Sequence, residues 1–455
     1  MQLRDLPGID ALLQADPMRV LRSTYGTETV KQELRALQAR WRAAGSAPDW
    51  AVEPSACANC LQDHLATHSY RAVFNLTGTL IHTNLGRAPL PGTVLDAVRA
   101  LVTGPMNLEY DLGSGRRGHR DDAVARRLCL LTGAEAATVV NNCAAALLLV
   151  LNTFAVGRQV PVSRGELIEI GGSFRLPEIM ERAGCRLREV GTTNRTHPRD
   201  YAAAAADGAA MLLKVHPSNY HLSGFTRSVS VTELAAVARD HDLPLAVDLG
   251  SGTLVDLTRF GLPHEPMPQE VLNQGADLVM FSGDKLLGSV QAGILVGSRR
   301  LIDACNANPM KRALRPDKLT LTILERTLAL YEEPEQLPER LPLLRMMTEP
   351  LALLSERAES VRGVLAARRP DLDISVQPSD CQIGSGSLPE HRLPSIAVCA
   401  RHASEKRLRA LLETLRALPT PIIGRLQHGA LWLDMRGAGD LGELLKVLDH
   451  LPART

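Results

Sequence analysis

The stretch Ala276-Asp277-Leu278-Val279-Met280-Phe281-Ser282-Gly283-Asp284-Lys285 is an apolar run followed by turn residues and a lysine. The apolar part predicts a buried strand, so that Lys285 lies just past the strand's carboxyl end. A lysine held at the mouth of a sheet can lose its proton and attack a carbonyl carbon. By itself the residue indicates little, because most lysines in loops are solvated charges.

A second strand with a polar end lies upstream. Leu243-Pro244-Leu245-Ala246-Val247-Asp248 predicts a short buried strand that ends in a carboxylate, and turn residues follow it from Gly250 to Gly252. In an open α/β sheet, ligands bind outside the carboxyl ends of the strands, so we expect Asp248 and Lys285 to face one crevice. The alternative is that Asp248 only caps a helix or forms a turn.

A third strand end offers an anion site. Residues 136–140 predict a strand, Asn141-Asn142-Cys143 a tight turn, and residues 144–154 an apolar helix. The free N–H groups and the dipole at such a helix start bind anions without a lysine. A plain asparagine-rich turn is the alternative. The residues that we expect to bind a phosphate are Asn142, Cys143 and Ala144, with a hydroxyl from Ser282.

Together, these three features predict a cofactor. Pyridoxal phosphate needs a phosphate site, a carboxylate that keeps its pyridine nitrogen protonated, and a lysine that forms a Schiff base. The chain offers an anion turn, Asp248 and Lys285 in that order, each at a strand end. This order is typical of pyridoxal phosphate enzymes with an aminotransferase-like fold.

Composition argues against several other classes of protein. The 455 residues include 51 Lys plus Arg and 50 Asp plus Glu, so the net charge of +1 does not indicate a general nucleic-acid or membrane binder. The amino terminus lacks a basic stretch followed by an apolar one, and the longest apolar run, residues 143–151, is too short to span a bilayer. We therefore expect no membrane association and a cytoplasmic protein.

The eight cysteines are scattered, and their spacing does not predict a disulfide framework. The one cluster is Cys57-Ala58-Asn59-Cys60, followed by His64 and His68. A helix would string these side chains along about 16 Å of its axis, whereas structural zinc needs them to converge. We therefore expect no metal site.

The chain divides into three predicted parts. Residues 1–70 predict a small helical domain, because Val30, Leu34, Leu37 and Trp41 recur at helical spacing. Strands and helices alternate over residues 71–335, where Ser230-Val231-Thr232-Glu233 opens one helix with a capping box. Residues 336–455 predict a smaller α+β domain with strands near 374–376 and 430–433.

Several segments along almost the whole chain match one family. They include Asn75-Leu76-Thr77-Gly78-Thr79, Asn107-Leu108-Glu109-Tyr110-Asp111, Asp248-Leu249-Gly250-Ser251-Gly252, Ser282-Gly283-Asp284-Lys285-Leu286-Leu287-Gly288 and Lys311-Arg312-Ala313-Leu314-Arg315. In these segments the chain resembles bacterial selenocysteine synthases, the L-seryl-tRNA(Sec) selenium transferases. The resemblance implies an α/β fold of the aminotransferase type (fold type I). Such a fold has a mostly parallel sheet in residues 71–335, a small α+β domain in 336–455 and a helical tRNA-binding domain in 1–70.

The resemblance also implies a reaction. Seryl-tRNA(Sec) would lose water on pyridoxal phosphate to give an aminoacrylate, and selenide from selenophosphate would add to form selenocysteinyl-tRNA(Sec). Lys285 or a neighbour would take the Cα proton, and Asp284 would orient the amine or assist water loss. Arg87, Arg312 and Arg315 would bind selenophosphate through paired hydrogen bonds, because guanidinium groups suit phosphate.

Some alternatives remain beside this interpretation. Arg312 and Arg315, three residues apart, could be a solvated basic helix face. A pyridoxal phosphate lyase acting on a small amino acid or amino sugar, without tRNA, is the alternative function, although such relatives tend to lack the helical amino-terminal piece. The resemblance further implies a homo-oligomer, a ring of dimers with a decamer expected and active sites at dimer interfaces.

Two segments depart from the family pattern. Ser289-Val290 stands where the family usually has Gly-Pro, which predicts a freer loop after Lys285. The segment from Gly113 to Arg120 is basic where the family is acidic, so it could contact phosphate, touch a neighbouring subunit or be a flexible exposed loop. The loop at Gly171-Gly172-Ser173-Phe174 is a candidate for stacking on the cofactor ring.

Overall fold

The computed structural model describes residues 5–67, 70–170, 174–384 and 387–453. Its amino-terminal part is helical, with α1 (Ile9–Gln14), α2 (Asp16–Tyr25), α3 (Thr27–Ala43) and α4 (Pro54–Thr67). Apolar side chains of these helices, among them Val30, Leu34 and Leu37, pack on one another as a core of their own. The helix predicted from the spacing of these residues is confirmed as α3.

Helix α4 carries the cysteine and histidine cluster. Cys57, Cys60 and His64 follow one another along this helix, as the sequence predicts, and the His64 Nε2 atom lies 3.0 Å from Glu33. His68 lies outside the described residues. Among the described residues, no helix is both long and apolar enough to cross a membrane.

The middle of the chain alternates strands and helices. Its elements are β1 (Phe74–Asn75), β2 (Thr79–Ile81), α5 (Gly92–Val102), β3 (Tyr110–Asp111), β4 (Arg116–Arg117), α6 (Asp122–Thr132), β5 (Ala136–Val140), α7 (Cys143–Phe154), β6 (Gln159–Ser163), β7 (Glu169–Ile170), β8 (Phe174–Arg175), α8 (Leu176–Arg182), β9 (Arg186–Val190), α9 (Pro198–Ala206), β10 (Leu212–Val215), α10 (Val231–Asp240), β11 (Leu245–Gly250), α11 (Pro268–Asn273), β12 (Leu278–Ser282), β13 (Gly293–Gly297), α12 (Arg299–Ala307), α13 (Met310–Leu314) and α14 (Lys318–Leu330). The predicted capping box is confirmed at the start of α10, where Ser230 and Glu233 exchange hydrogen bonds.

A five-stranded sheet in the order β10-β11-β12-β13-β5 forms the centre of this part. Strands β10, β11 and β12 pair in parallel, whereas β13 runs antiparallel to both β12 and β5. Four of the strands therefore run in one direction, as predicted, and β13 is the exception. A short hairpin-like return after β12 leaves no room for a crossover helix, which explains why β13 is reversed.

Both faces of this sheet are buried. In β12, Leu278 and Met280 contribute to one apolar core, while Val279 and Phe281 contribute to another. Successive strand residues point to opposite faces, so the two cores lie on either side of the sheet. Burial on both faces explains the continuous apolar run that identifies β12 in the sequence.

The carboxyl-terminal part combines helices with a second sheet. Its elements are α15 (Leu337–Arg340), α16 (Pro342–Thr348), α17 (Leu351–Arg368), β14 (Asp373–Gly384), β15 (Ser387–Arg401), α18 (Glu405–Arg416), β16 (Ile422–Ile423), β17 (Arg425–Gln427), β18 (Ala430–Asp434) and α19 (Leu441–Leu448). The sheet order is β17-β18-β15-β14-β2, and β1 pairs with β16. Residues 74–81, assigned by sequence to the middle part, thus pair with carboxyl-terminal strands. Strands of two or three residues carry too little periodicity to reveal such pairing.

Candidate active site

The carboxyl ends of three strands meet at one edge of the central sheet. Gly293, the first residue of β13, lies opposite Val140 at the end of β5 and Ser282 at the end of β12. In the neighbouring strand β11, Asp248 pairs with Met280 of β12. The structure therefore brings the anion turn, Asp248 and the turn that carries Lys285 together, as the sequence predicts.

Asp248 is a buried carboxylate, only 5% exposed. Its Oδ1 atom accepts the Gly250 N–H at 2.8 Å and the Cys143 thiol at 3.4 Å. Burial raises the pKa of Asp248, although both hydrogen bonds and the charge of Lys285 act in the opposite direction. A carboxylate in this position favours a cationic partner, because an unpaired buried charge is costly.

Lys285 lies on the turn that follows β12 and is 8% exposed. Its positive charge acts on Asp248 and Cys143, whose pKa values it lowers against the effect of burial. Within the described part of the chain, its amine has no hydrogen-bond partner. A buried primary amine that no protein group engages is available for covalent chemistry.

The loop after Lys285 is held in place by its backbone. Gly288 donates to the Lys285 carbonyl and Ser289 to the Gly283 carbonyl, each at 2.9 Å. The Tyr331 hydroxyl donates to the Leu287 carbonyl at 2.9 Å. These bonds connect the loop to its surroundings without the proline of the family pattern.

Helix α7 begins at the anion turn. Asn142 is its N-cap, and the Asn142 side-chain oxygen accepts the Ala145 N–H at 2.8 Å. Among the described residues, the backbone N–H groups of Cys143 and Ala144 donate to no protein group. These two N–H groups and the helix dipole remain available for an anion. The Asn142 side chain itself is engaged in capping.

The Cys143 thiol joins the anion turn to Asp248. It donates to Asp248 Oδ1 at 3.4 Å, and Ser282, which is 6% exposed at the end of β12, acts to lower the pKa of the thiol. Burial raises the pKa of the Cys143 thiol well above its usual value, and the charge of Asp248 raises it further. The thiol therefore stays protonated and donates to the carboxylate.

Gly293 leaves room for the anion turn. A Cβ atom at this position would lie 2.0 Å from the Asn142 carbonyl oxygen and 2.9 Å from the Cys143 nitrogen. Backbone atoms of a packed turn cannot move aside as the end of a flexible side chain can. A glycine is therefore required where β13 passes the turn.

We expect Gly293→Ala to weaken cofactor binding at least about tenfold, because the displaced turn no longer presents its N–H groups; overpacking of this kind typically costs about 1–3 kcal/mol. The measurement is a titration of cofactor-free protein with pyridoxal phosphate. Gly363→Ala on α17 is the matched control, because a Cβ there meets nothing within 4 Å. Equal affinities for Gly293→Ala and the control would contradict this account of the turn.

Arg87 and Asp284 form an ion pair beside Lys285. The Arg87 Nη1 atom lies 2.5 Å from Asp284 Oδ2, and Asp284 is 6% exposed. Arg87 has a φ of 64°, an uncommon left-handed conformation for a residue other than glycine. Asp284 thus engages Arg87. It makes no hydrogen bond to the Lys285 amine, which the sequence-based expectation had it orient. The pair lines a cavity of about 430 Å³ together with Ser289.

Arg312 and Arg315 line a different cavity, of about 400 Å³. Arg312 belongs to α13, whereas Arg315 follows that helix with an extended backbone, ψ 141°. The helix face that the sequence predicts for this pair therefore ends before Arg315. Within one chain, Arg87 does not line the cavity of the other two arginines.

The basic segment before α6 borders the same cavity. Arg117 and Arg120 both bind the Glu109 carboxylate, and Arg315 lies 3.7 Å from it. Arg120 also donates to the Pro316 carbonyl at 2.9 Å. Of the interpretations considered for this segment, free exposure is therefore wrong for Arg120, which is held against the Arg315 loop.

Sequence reasoning missed several polar groups near the sheet edge. His216 follows β10, and its backbone N–H donates to the Asp248 carbonyl at 2.8 Å. Burial lowers the pKa of His216 to about 4, so the imidazole is neutral, and its buried Nδ1 atom lacks a partner within the described structure. The buried Ser218 hydroxyl also lacks one there. A polar residue at a strand end was the available signal, as it was for Asp248.

Glu265 is another group that no sequence pattern indicated. It is 3% exposed in the loop before α11. Burial raises the pKa of Glu265 to about 7, against the effects of His264 and Lys285. Residues 171–173, the predicted stacking loop, lie outside the described residues, whereas Phe174 begins β8.

Comparisons with known proteins place this site in a family. The profile of the L-seryl-tRNA selenium transferase family matches residues 73–438, and the profile described as selenocysteine synthase N terminal matches residues 3–42. The chain belongs to the L-seryl-tRNA selenium transferase family. It is 52% identical to the L-seryl-tRNA(Sec) selenium transferase of Edwardsiella ictaluri over 97% of both chains. It is 46% identical to that of Haemophilus influenzae over 98% of this chain and 99% of the other.

A solved structure shows the same fold. D-glucosaminate-6-phosphate ammonia-lyase aligns with a TM-score of 0.60 over 86% of this chain and 98% of its own, at 18% identity. This likeness concerns the architecture alone. Together with family membership, it confirms the predicted aminotransferase-like α/β fold.

Pyridoxal phosphate is the cofactor of this family, and the residues at the sheet edge fit it. Cys143 and Ala144 offer N–H groups for the phosphate, and Asp248 offers a buried carboxylate for the pyridine nitrogen. Lys285 offers the amine for the aldehyde. Polar atoms without partners in the described structure, His216 Nδ1 and Ser218 Oγ, mark the same edge as a place for a polar ligand.

Proposed function

We propose that the protein converts L-seryl-tRNA(Sec) to L-selenocysteinyl-tRNA(Sec), with pyridoxal phosphate bound at Lys285 and selenophosphate as the selenium donor. The observation that carries this proposal is the convergence of Lys285, Asp248 and the start of α7 in a chain of the selenium transferase family. A cytoplasmic location is part of this proposal.

Each group at the sheet edge has a distinct task. When bound, pyridoxal phosphate supplies an electron sink for the negative charge that develops at the seryl Cα atom. The Lys285 amine, which is buried and has no hydrogen-bond partner among the described residues, would act as the base for the Cα proton. Asp248 would keep the pyridine nitrogen protonated, and the Cys143 and Ala144 N–H groups would bind the phosphate.

The ion pair of Arg87 with Asp284 prepares the cavity that it lines for anions. Asp284 is buried and adjacent to Lys285 in sequence, so it anchors Arg87 at the mouth of the cavity. The remaining guanidinium N–H groups can then bind a phosphate oxygen of the donor. In this role Asp284 positions Arg87, and its contribution to the loss of water from the seryl group is indirect, by way of Arg87.

The selenium donor needs further cations. Arg312 and Arg315 are the proposed ligands, although in one chain they line a cavity separate from that of Arg87. We propose a homo-oligomer, a ring of dimers with a decamer expected, whose active sites lie at dimer interfaces. A second copy would then be needed to bring all three arginines to one donor anion.

We expect Arg312→Ala to raise the KM for selenophosphate about ten- to a hundredfold with a smaller effect on the KM for seryl-tRNA(Sec). The reason is the loss of a charge-assisted hydrogen bond to the donor, worth about 1.5–3 kcal/mol. Steady-state kinetics with each substrate varied in turn measure this effect. Arg300→Ala, which changes an exposed arginine on α12, is the control. Equal changes in both KM values would argue against a donor site at Arg312.

The amino-terminal helices are the proposed tRNA-binding part. They pack a core of their own from Leu12 to Leu65, which supports the first of the proposed domains 1–70, 71–335 and 336–455. Their match to the selenocysteine synthase amino-terminal profile supports a tRNA substrate over a small amino acid or amino sugar.

Deleting residues 1–70 is expected to weaken seryl-tRNA(Sec) binding at least about tenfold, because phosphate contacts supply most of the affinity in such complexes. Binding is measured at a fixed salt concentration, and pyridoxal phosphate binding by the shortened chain is the control for its folding. Equal and weak tRNA binding by both chains would favour the small-molecule lyase.

Turnover tests the proposed function as a whole. The full chain with pyridoxal phosphate, seryl-tRNA(Sec) and selenophosphate should form selenocysteinyl-tRNA(Sec), detected by mass spectrometry of the released amino acid. Release of ammonia from a free amino acid or amino sugar, with no change in seryl-tRNA(Sec), would replace this proposal with the lyase.

A further inference from the structure

A buried polar network lies between the anion turn and the donor arginines. At its centre is Lys311, whose side chain is 13% exposed. The Lys311 Nζ atom lies 2.9 Å from Asp121 Oδ2 and 2.6 Å from both Thr138 Oγ1 and the Val139 carbonyl oxygen. Its three acceptors thus come from the start of α6 and from β5, which are far from α13 in sequence.

Asp121 completes the network on the other side of the amine. Its Oδ2 atom also accepts the Thr138 hydroxyl at 2.7 Å and the Val139 N–H at 3.1 Å. Burial acts to raise the pKa of Asp121, but Lys311 and these hydrogen bonds lower it overall. The carboxylate is therefore charged, and the pair joins α13 to β5 by charge-assisted bonds.

The same short helix contacts the anion turn directly. The Leu314 carbonyl, at the end of α13, accepts the Asn141 N–H at 2.9 Å. At the other end of α13, the Asn308 side chain donates to Asn152 and Thr153 of α7, each at 3.0 Å. The helix that carries Arg312 is thus fixed against both the strand and the helix that flank the phosphate turn.

We propose that Lys311 is a positioning residue: it fixes the position of Arg312 and Arg315 relative to the phosphate-binding turn of residues 141–144. The proposal deepens the proposed function, on which it rests, by naming what couples the cofactor site to the donor site. Lys311 and Asp121 border the donor cavity beside Arg312 and Arg315, but the Lys311 amine is engaged by its three protein acceptors, so its role is to hold α13 and not to bind the donor.

The chemistry of the network favours positioning over plain stability. A buried ion pair seldom adds net stability compared with apolar side chains of similar volume, because both charges lose their hydration. The ion pair instead fixes the orientation of α13, because three hydrogen bonds to the Lys311 amine determine where the Lys311 backbone and its neighbour Arg312 lie. Methionine could fill this space but would not define the orientation of α13.

The test compares Lys311→Met, Asp121→Asn and the double variant. Each single variant leaves one buried group without its partner and should lower the melting temperature, whereas the double variant should recover most of that loss. We expect the KM for selenophosphate to rise at least about tenfold in Lys311→Met, the equivalent of one lost hydrogen bond to a charged group, and to stay raised in the double variant. Pyridoxal phosphate binding by cofactor-free protein should weaken in parallel.

A network that serves stability alone gives another result: the KM for selenophosphate and the cofactor affinity return to wild-type values in the double variant, together with its melting temperature. That result would overturn the proposal, as would an unchanged KM in Lys311→Met. If Lys311→Met does not fold, Thr138→Val is the substitute, because it removes one acceptor of the Lys311 amine and leaves the ion pair with Asp121. An unchanged KM for selenophosphate in Thr138→Val would then overturn the proposal. Lys318→Met, an exposed lysine at the start of α14, is the matched control.

The outcome separates this proposal from the proposed function. If the wild-type protein forms no selenocysteinyl-tRNA(Sec), the proposed function fails, and the cofactor-binding comparison still tests the role of Lys311. If the wild type is active and Arg312→Ala raises the donor KM while Lys311→Met changes neither readout, only the positioning role is lost.

Discussion

Lys285→Ala should abolish the visible absorbance band of the protein with pyridoxal phosphate and reduce turnover at least about a thousandfold. The expected loss combines the two roles proposed for Lys285, covalent anchor of the cofactor and base for the Cα proton, and general base catalysis alone contributes about 10²–10⁴-fold. The Lys285 amine has no hydrogen-bond partner among the described residues, whereas Lys214 and Lys311 are paired with Glu166 and Asp121. Absorbance spectra and single-turnover kinetics measure the two effects separately.

Lys318→Ala is the control for Lys285→Ala, because it removes an exposed lysine whose amine donates to the Val102 carbonyl at the end of α5. An absorbance band that survives in Lys285→Ala at wild-type strength would show that another lysine carries the cofactor. Added methylamine offers a further check, since a small amine can restore proton transfer without restoring the covalent link.

Asp248→Asn should lower the rate of Cα proton removal about 10²–10³-fold, the range for loss of one preorganised charge at a reaction centre. An asparagine keeps the size of the side chain and the hydrogen bond from Gly250, but it does not hold a proton on the pyridine nitrogen. Exchange of the seryl Cα proton with deuterated solvent measures this step directly. Asp256→Asn, a turn carboxylate in the segment after β11, is the control.

The stability of Asp248→Asn gives an independent readout. Burial raises the pKa of Asp248 in the folded chain, so the folded state binds this proton more tightly than the unfolded state does. Between the unfolded and folded pKa values, stability therefore falls as pH rises, and the ionised carboxylate costs free energy at neutral pH. Cofactor-free Asp248→Asn should thus be at least as stable as wild type at neutral pH. A large loss of stability there would indicate a structural role for Asp248.

The sequence predicts the sheet edge because strand ends leave a local signal. Asp248 and Lys285 each follow a continuous apolar run, and parallel strands place such ends side by side. The anion turn is visible for the same reason, since Asn142 caps a helix directly after β5. These features depend only on neighbours in the sequence.

Other features depend on residues far apart in the chain and leave no local signal. Strand β2 joins the carboxyl-terminal sheet although about 300 residues separate it from β14. Arg87 and Arg312 line separate cavities because of how distant parts of the chain pack together, and the spacing of the motifs does not predict such packing. Lys311 and Asp121 are 190 residues apart, and a single sequence cannot pair them.

Glu265 shows another limit of the sequence. The sequence predicts a solvated carboxylate for Glu265, because it lies in a proline-containing loop. Burial in the fold instead raises the pKa of Glu265 to about 7. Such a shift arises from burial in the folded chain, and no pattern within the loop predicts it.

Borohydride reduction followed by peptide mapping tests the central claim most directly. Reduction fixes the cofactor to the lysine that holds it, and digestion then shows which peptide carries the pyridoxyl group. The account predicts a single labelled site, Lys285, in the peptide that follows β12. Labelling of Lys214 or Lys311, which are paired with Glu166 and Asp121, would contradict it.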